Sequence, residues 1–215
     1  MAPLFIAGCI ACVIFLAGTV NAAFSGRTEL QRFCKPLASA GFLVAAIGAG
    51  AFSTTFGTVI FVGLVFCLIG DVLLMWKEKG PFMAGIFAFL LGHVAYLLAF
   101  VMRGQNGLTA VLALIAILPI AVFILRWLWE GISELKIPVI AYIVVIALMV
   151  TTAVGTFGFA ASWPILLGAI AFFVSDLFVA RERFVGSAFF NRAVGLPLYY
   201  GAQLTIAYAA GTAAL

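Results

Sequence analysis

The chain consists almost wholly of apolar runs about twenty residues long, parted by gaps too short to hold a domain, and few folds are compatible with that pattern. A helix rising 1.5 Å per residue needs about 20 residues to cross some 30 Å of hydrocarbon. Eight segments reach that length: 3–24, 36–53, 55–76, 82–102, 107–129, 138–159, 162–180 and 193–213. With 67% hydrophobic and 8% charged residues, the composition excludes a water-soluble globule. The expected fold class is therefore an all-α polytopic membrane protein of eight transmembrane helices, one integral membrane domain over 1–215. Two boundaries rest on little more than Ser53-Thr54-Thr55 and Ala161-Ser162-Trp163-Pro164. The first helix lacks a basic start and is long for a leader, so it is expected to be retained.

Basic residues cluster on alternate connections. Arg27, Arg32 and Lys35 fall between the first and second helices, Lys77 and Lys79 between the third and fourth, and Arg126 and Lys136 flank the fifth connection. Arg181, Arg183 and Arg192 fall between the seventh and eighth, and only Arg103 lies on the other side. The positive-inside rule then places both termini away from the cytoplasm, in a bacterial-type inner membrane. The net charge of +4 is on this reading a topology signal, with attraction to membrane lipid headgroups as a secondary effect; it does not indicate nucleic acid, and no protein partner is inferred. Gly41, Ala45 and Ala49 give the second helix one thin face for close packing. Cys9 and Cys12 spell C-x-x-C inside a membrane span, where packing is the simpler role.

Two charges interrupt the apolar runs. Asp71 and Asp176 stand in matching phrases, Gly63-x7-Asp71 and Gly168-x7-Asp176, and an ionised carboxylate there costs roughly 2.5–3.5 kcal/mol on insertion scales. Such residues are functional candidates by default. Asp71 precedes Trp76 by five residues and Asp176 precedes Arg181 by five, which would set both carboxyls about 7–8 Å below the cytoplasmic boundary. The aspartates are 105 residues apart, Pro36 and Pro138 are 102 apart, and polar pairs follow each aspartate helix, His93 with Tyr96 and Tyr200 with Gln203. A parallel 4+4 repeat with halves 1–106 and 107–215 accounts for these coincidences. Lys35, His93, Tyr200 and the two aspartates should converge on the cytoplasmic half of the membrane. Each has a structural alternative: Lys35 before Pro36 as a snorkelling anchor at a helix start, His93 as an interhelical hydrogen bond, Tyr199 and Tyr200 as an aromatic belt with one ring turned inward, and the aspartates in salt bridges to Lys35 or Arg192.

Lys35-Pro36, Gly70-Asp71, His93-x-x-Tyr96, Ser175-Asp176 and Tyr200-x-x-Gln203, in this order through eight short-looped helices, resemble the YhhN-like family of lysoplasmalogenases. The resemblance covers nearly the whole chain. It implies hydrolysis of the vinyl-ether bond of a lysoplasmalogen, or a related ether lysolipid, to a fatty aldehyde and glycerophospho-ethanolamine or -choline. It also implies Asp71 and Asp176 as the catalytic residues; Lys35, His93, Tyr96, Ser175, Asn191, Tyr200 and Gln203 are expected from their own chemistry to line the substrate.

Two carboxyl groups suit that chemistry. Protonation of a vinyl ether gives an oxocarbenium ion like that of glycoside hydrolysis, where one carboxyl is an acid and the other an anion. His93 and Tyr200 would orient water or the leaving oxygen, and Lys35 would hold the lipid phosphate. No cofactor is called for, and a single histidine argues against a catalytic zinc site. The alternative is a proton-coupled small-molecule or lipid transporter using the same aspartates, which would need polar groups towards both faces. An intramembrane aspartyl protease is disfavoured because Leu68-Ile69-Gly70-Asp71 lacks the Gly-x-Gly-Asp phrase.

Overall fold

In the computed structural model, which describes residues 3–76 and 78–212, the chain forms eight long helices and no strand among those residues. They are α1 (Pro3–Phe24), α2 (Thr28–Ala49), α3 (Thr55–Leu73), α4 (Lys79–Arg103), α5 (Gly107–Leu128), α6 (Lys136–Gly155), α7 (Ser162–Phe184) and α8 (Phe189–Thr212). Seven are long and apolar enough to cross a membrane. The remaining one, α8, packs on α1, α2, α3 and α7, so helices rather than lipid meet its Tyr199, Tyr200 and Gln203. Lys77, one of the expected topology residues, lies outside the described residues.

Successive helices pair as hairpins: α1 with α2, α3 with α4, α5 with α6 and α7 with α8. The connections carrying the basic residues therefore share one end of the bundle, here called the basic end. Packing density, not apolar burial, holds helices together in lipid, and small residues set how close they come. A Cβ on Gly8 would sit 2.4 Å from the backbone nitrogen of Ala45, and one on Gly41 would sit 2.6 Å from that of Cys12. The thin face read from Gly41 and Ala45 is thus the α1–α2 seam. Ala49 meets a different helix, because a Cβ on Gly211 would strike its carbonyl. At the opposite extreme α5 packs on α6 and barely on α7, leaving Leu108, Ile115 and Phe123 exposed to lipid. All four cysteines are free thiols, in keeping with a packing role.

Several helix limits differ from the hydropathy reading, each for a local reason. The second helix starts at Thr28 instead of 36, so Pro36 is interior and Lys35 lies two turns inside. Proline is tolerated within membrane helices because neighbouring groups satisfy the freed carbonyl. In α7 the helix continues to Phe184 and α8 begins at Phe189, which puts Arg181, Arg183 and Arg192 on helices and not in a loop. Glu182 explains the tight turn: its carboxylate accepts from Ser187, the Ala188 backbone, Asn191 and Arg192, and so caps the start of α8. The third helix stops at Leu73, short of Trp76, and the sixth at Gly155, ahead of a turn where Gly158 takes φ +94°.

Candidate active site

Asp71 is 2% exposed, two residues from the end of α3, with donors from two neighbouring helices on it. The Lys35 ammonium on α2 lies 3.2 Å from Oδ1 and donates to the Asp71 main-chain oxygen at 3.2 Å. Ser39, one turn beyond Lys35, donates to Oδ2 at 2.7 Å, and the Tyr199 hydroxyl on α8 donates to the same oxygen at 2.6 Å. Tyr200 stands behind, its hydroxyl 3.1 Å from Ser39 Oγ and donating to the Lys35 carbonyl at 3.2 Å. A carboxylate buried this deeply persists because a full charge and two hydroxyls replace its water. Since α2, α3 and α8 pack on one another pairwise, the nest lies at the junction of three helices.

The second carboxyl is held differently. Asp176, one residue after buried Ser175 on α7, keeps 15% of its side chain exposed and accepts a hydrogen bond from Tyr142 of α6 at 2.7 Å on Oδ2. His93 of α4 approaches that oxygen with Nε2 at 3.4 Å, yet the geometry makes no hydrogen bond, and Nε2 is buried without a partner. The far nitrogen is fixed: Nδ1 lies 2.7 Å from the Phe89 carbonyl. A carbonyl only accepts, so Nδ1 carries the hydrogen and Nε2 is the nitrogen left facing Asp176. The ring also stacks on Phe172 with centroids 4.3 Å apart.

Aromatic rings lie between the two clusters. Phe172 packs on both His93 and Tyr199, at 4.3 and 5.5 Å between centroids; Tyr199 is hydrogen-bonded to Asp71, and His93 approaches Asp176 without a hydrogen bond. Tyr96 of α4 donates to Gln203 Oε1 of α8 at 2.6 Å, leaving Gln203 Nε2 buried and unpartnered.

Most residues singled out from sequence therefore gather in these clusters, with exceptions. Asn191 does not: its side chain is bonded to Arg181, Glu182 and Gly186 in the α7–α8 turn. The Ser175 hydroxyl donates back to the Phe172 carbonyl of its own helix at 2.7 Å. Lys35 is not at the mouth of α2 but 12% exposed and paired inward, so it is neither a snorkelling anchor nor placed to reach a headgroup. Counting from interfacial residues also misleads, since Asp71 is two residues from the end of its helix and Asp176 eight from the end of its own. Ser39 and Tyr142 went unread. Ser39 is visible as one turn from Lys35 once α2 starts at Thr28; Tyr142 is a lone hydroxyl in the apolar run Ile140–Ile143.

Together these features define a polytopic membrane protein with two intramembrane carboxyl clusters bridged by aromatic rings. The profile of the YhhN family matches residues 30–210, and the chain belongs to that family. It is 31% identical to "Lysoplasmalogenase TMEM86A" of Bos taurus over 98% of this chain and 88% of the relative, and 29% identical to the protein of that name in Homo sapiens over the same shares. A protein named "Lysoplasmalogenase" in Mycobacterium tuberculosis (strain CDC 1551 / Oshkosh) is 30% identical over 55% of this chain and 46% of its own length. No solved structure matches. These similarities make the chain a lysoplasmalogenase-like enzyme.

Proposed function

We propose that the protein hydrolyses the vinyl-ether bond of a lysoplasmalogen or related ether lysolipid, releasing a fatty aldehyde and glycerophospho-ethanolamine or -choline, with Asp176 and Asp71 as the working carboxyls. The observation that carries this reading is the Asp176–His93 contact. With Nδ1 committed to the Phe89 carbonyl, Nε2 and Oδ2 face each other at 3.4 Å as two acceptors unless one proton sits between them. That arrangement is a store for a single transferable proton.

In the proposed reaction the stored proton goes to the β carbon of the vinyl ether. The double-bond electron pair forms the new C–H bond, and the adjacent carbon becomes an oxocarbenium ion. Water adds to that carbon and gives up a proton to the carboxylate, which regenerates the store. The hemiacetal hydroxyl then gives up its proton as its oxygen forms the aldehyde carbonyl, the bond to the glycerol oxygen breaks, that oxygen takes up the proton, and the aldehyde leaves. Asp71, held by Lys35, Ser39 and Tyr199, stays anionic across the Phe172 and Tyr199 rings and opposes the positive charge as it develops. Incubating purified protein with a lysoplasmenyl lipid should release aldehyde, while a saturated ether lysolipid should not react. Aldehyde from neither would remove the proposal.

The basic end is read as cytoplasmic in an inner (plasma) membrane, which would set the carboxyls near that leaflet. Labelling of single cysteines placed in the α1–α2 and α5–α6 connections tests this, and labelling from outside intact cells would reverse it. The halves 1–106 and 107–215 are read as a parallel repeat. In support, α2–α8 and α4–α6 are the contacts that exchanging halves would interconvert, and Asp71 draws partners from α2 and α8 as Asp176 does from α6 and α4. An experimental structure in which α1–α4 fails to overlay α5–α8 would refute it.

A further inference from the structure

Lys35 was the natural choice to hold a substrate phosphate, but its ammonium is committed to Asp71. A lysolipid needs another cation. At the basic end Arg32 pairs with Glu29, Arg192 with Glu182 and Lys79 with Glu134, while Arg181 donates to Asn191. Arg183 stands apart. It is exposed, makes no ion pair among the described residues, and holds its guanidinium carbon 3.9 Å from the centroid of the Phe82 ring. Held over the ring face, the guanidinium makes no hydrogen bond among the described residues, so its N–H groups are free for the fork that grips a phosphate by two bonds.

Its position is as informative as its freedom. Arg183 lines a cleft at the basic end with Lys79, Phe82, Ile132 and Glu134, walled by the start of α4, the α5–α6 connection and the end of α7. Arg27, Arg126 and Lys136, the last over the Trp129 ring, also lack a carboxylate among the described residues, but none of them borders this cleft. Seven residues separate Arg183 from Asp176, so they share one face of α7 about 10 Å apart along its axis. Phe82, Phe89 and His93 follow a single stripe down α4 in the same direction. The two helices face each other through side chains: Arg183 on Phe82, Phe89 against Phe172, His93 on Phe172 and Asp176. Unlike α3 and α4, or α7 and α8, they do not pack backbone to backbone. A seam closed only by side chains can admit a chain-like amphiphile without parting packed helices.

We infer that Arg183, set by Phe82, binds the phosphodiester of the lysolipid headgroup, with the ether end of the molecule extending down the α4–α7 seam to Asp176 and His93. This rests on the hydrolase reading above. The bonds from phosphorus through glycerol to the vinyl carbon span, when extended, about the two helical turns between Arg183 and Asp176.

The test compares the full-length protein with Arg183→Gln on two substrates in detergent, a 1-alkenyl lysophospholipid and the 1-alkenylglycerol that lacks the phosphate. For the phosphate-bearing substrate KM should rise about tenfold or more, the scale of a lost charged hydrogen bond, with kcat little changed. For the alkenylglycerol the two proteins should behave alike, and Arg183→Lys should fall between. An equal rise for both substrates, or none for either, overturns the site. Binding of a saturated 1-alkyl lysophospholipid, which cannot be hydrolysed, should weaken to the same extent in Arg183→Gln. Displacement of that lipid by millimolar inorganic phosphate would make this a free-anion site and overturn the lipid assignment. Arg183-dependent binding without aldehyde release by the unmodified protein would sink the hydrolase reading alone, whereas hydrolysis with an unaltered KM in Arg183→Gln would sink the site alone.

Discussion

Asp71 and Asp176 occupy corresponding places in their halves of the chain, yet their surroundings differ in kind. Around Asp71 three helices pack backbone to backbone, a lysine supplies a full countercharge, and two hydroxyls complete the shell. Around Asp176 two of the three helices face one another through side chains only, an imidazole stands where the other site has a lysine, and one ring nitrogen has no hydrogen bond. The first arrangement resists change in charge because everything in it presupposes an anion. The second holds its carboxyl through one tyrosine hydroxyl, with the unbonded Nε2 of His93 close by. On the proposed mechanism, similar positions serve as one fixed charge and one movable proton.

That contrast can be broken most directly through activity. Asp176→Asn should lower kcat for aldehyde release by about 10²–10⁴-fold, the range of general acid–base catalysis, and a variant within threefold of the parent would end the assignment. Asp71→Asn should fall comparably in activity but also lose about 3–5 kcal/mol of stability, because it leaves the Lys35 ammonium buried and unpaired. Thermal unfolding in detergent distinguishes the two, since Asp176→Asn gives up little beyond the Tyr142 hydrogen bond. Adding Lys35→Met to Asp71→Asn should restore most of the stability and none of the activity. If the double variant is no more stable than the single one, the ion pair is not what holds this nest.

Smaller substitutions sharpen the comparison. Tyr199→Phe removes a donor from a buried nest and should cost about 1–3 kcal/mol, whereas Tyr142→Phe, beside a partly exposed carboxyl, should cost about 1 kcal/mol or less. Reversal of that order in unfolding measurements would place the rigid nest at Asp176. Weakest of all in stability, His93→Gln keeps a polar group near Asp176 but cannot relay a proton there. It should lower kcat for aldehyde release by about 10²-fold or more, within the range of general acid–base catalysis. An unchanged kcat would exclude His93 from the proton store.

The sequence conveyed the membrane class and the helix count because twenty-residue apolar runs have no other stable outcome, and it conveyed the aspartates because charge is conspicuous in such runs. Partners were harder to see. Ser39 and Tyr142 are ordinary residues whose importance arises only from which helices become neighbours, and hydropathy does not encode that. Lys35 was misplaced for a related reason. A proline after polar residues reads as the first turn of a helix, but Thr28–Lys35 is helical because it extends beyond the apolar run while still packing on α1 and α8. Asn191 looked like a polar group near a site, and its true employment, in the Glu182 cap, depends on a turn only four residues long.

The central position of α8 also bears on how the molecule comes into being. It is the last of the eight to leave the ribosome, yet four earlier helices lean on it and Tyr199 completes the shell of Asp71. Until then the faces that α1, α2, α3 and α7 turn to it lack their partner, and the Asp71–Lys35 pair is short of one of its donors. A nascent chain halted before α8 would lack the Tyr199 donor, so the shell of Asp71 closes only once α8 has packed.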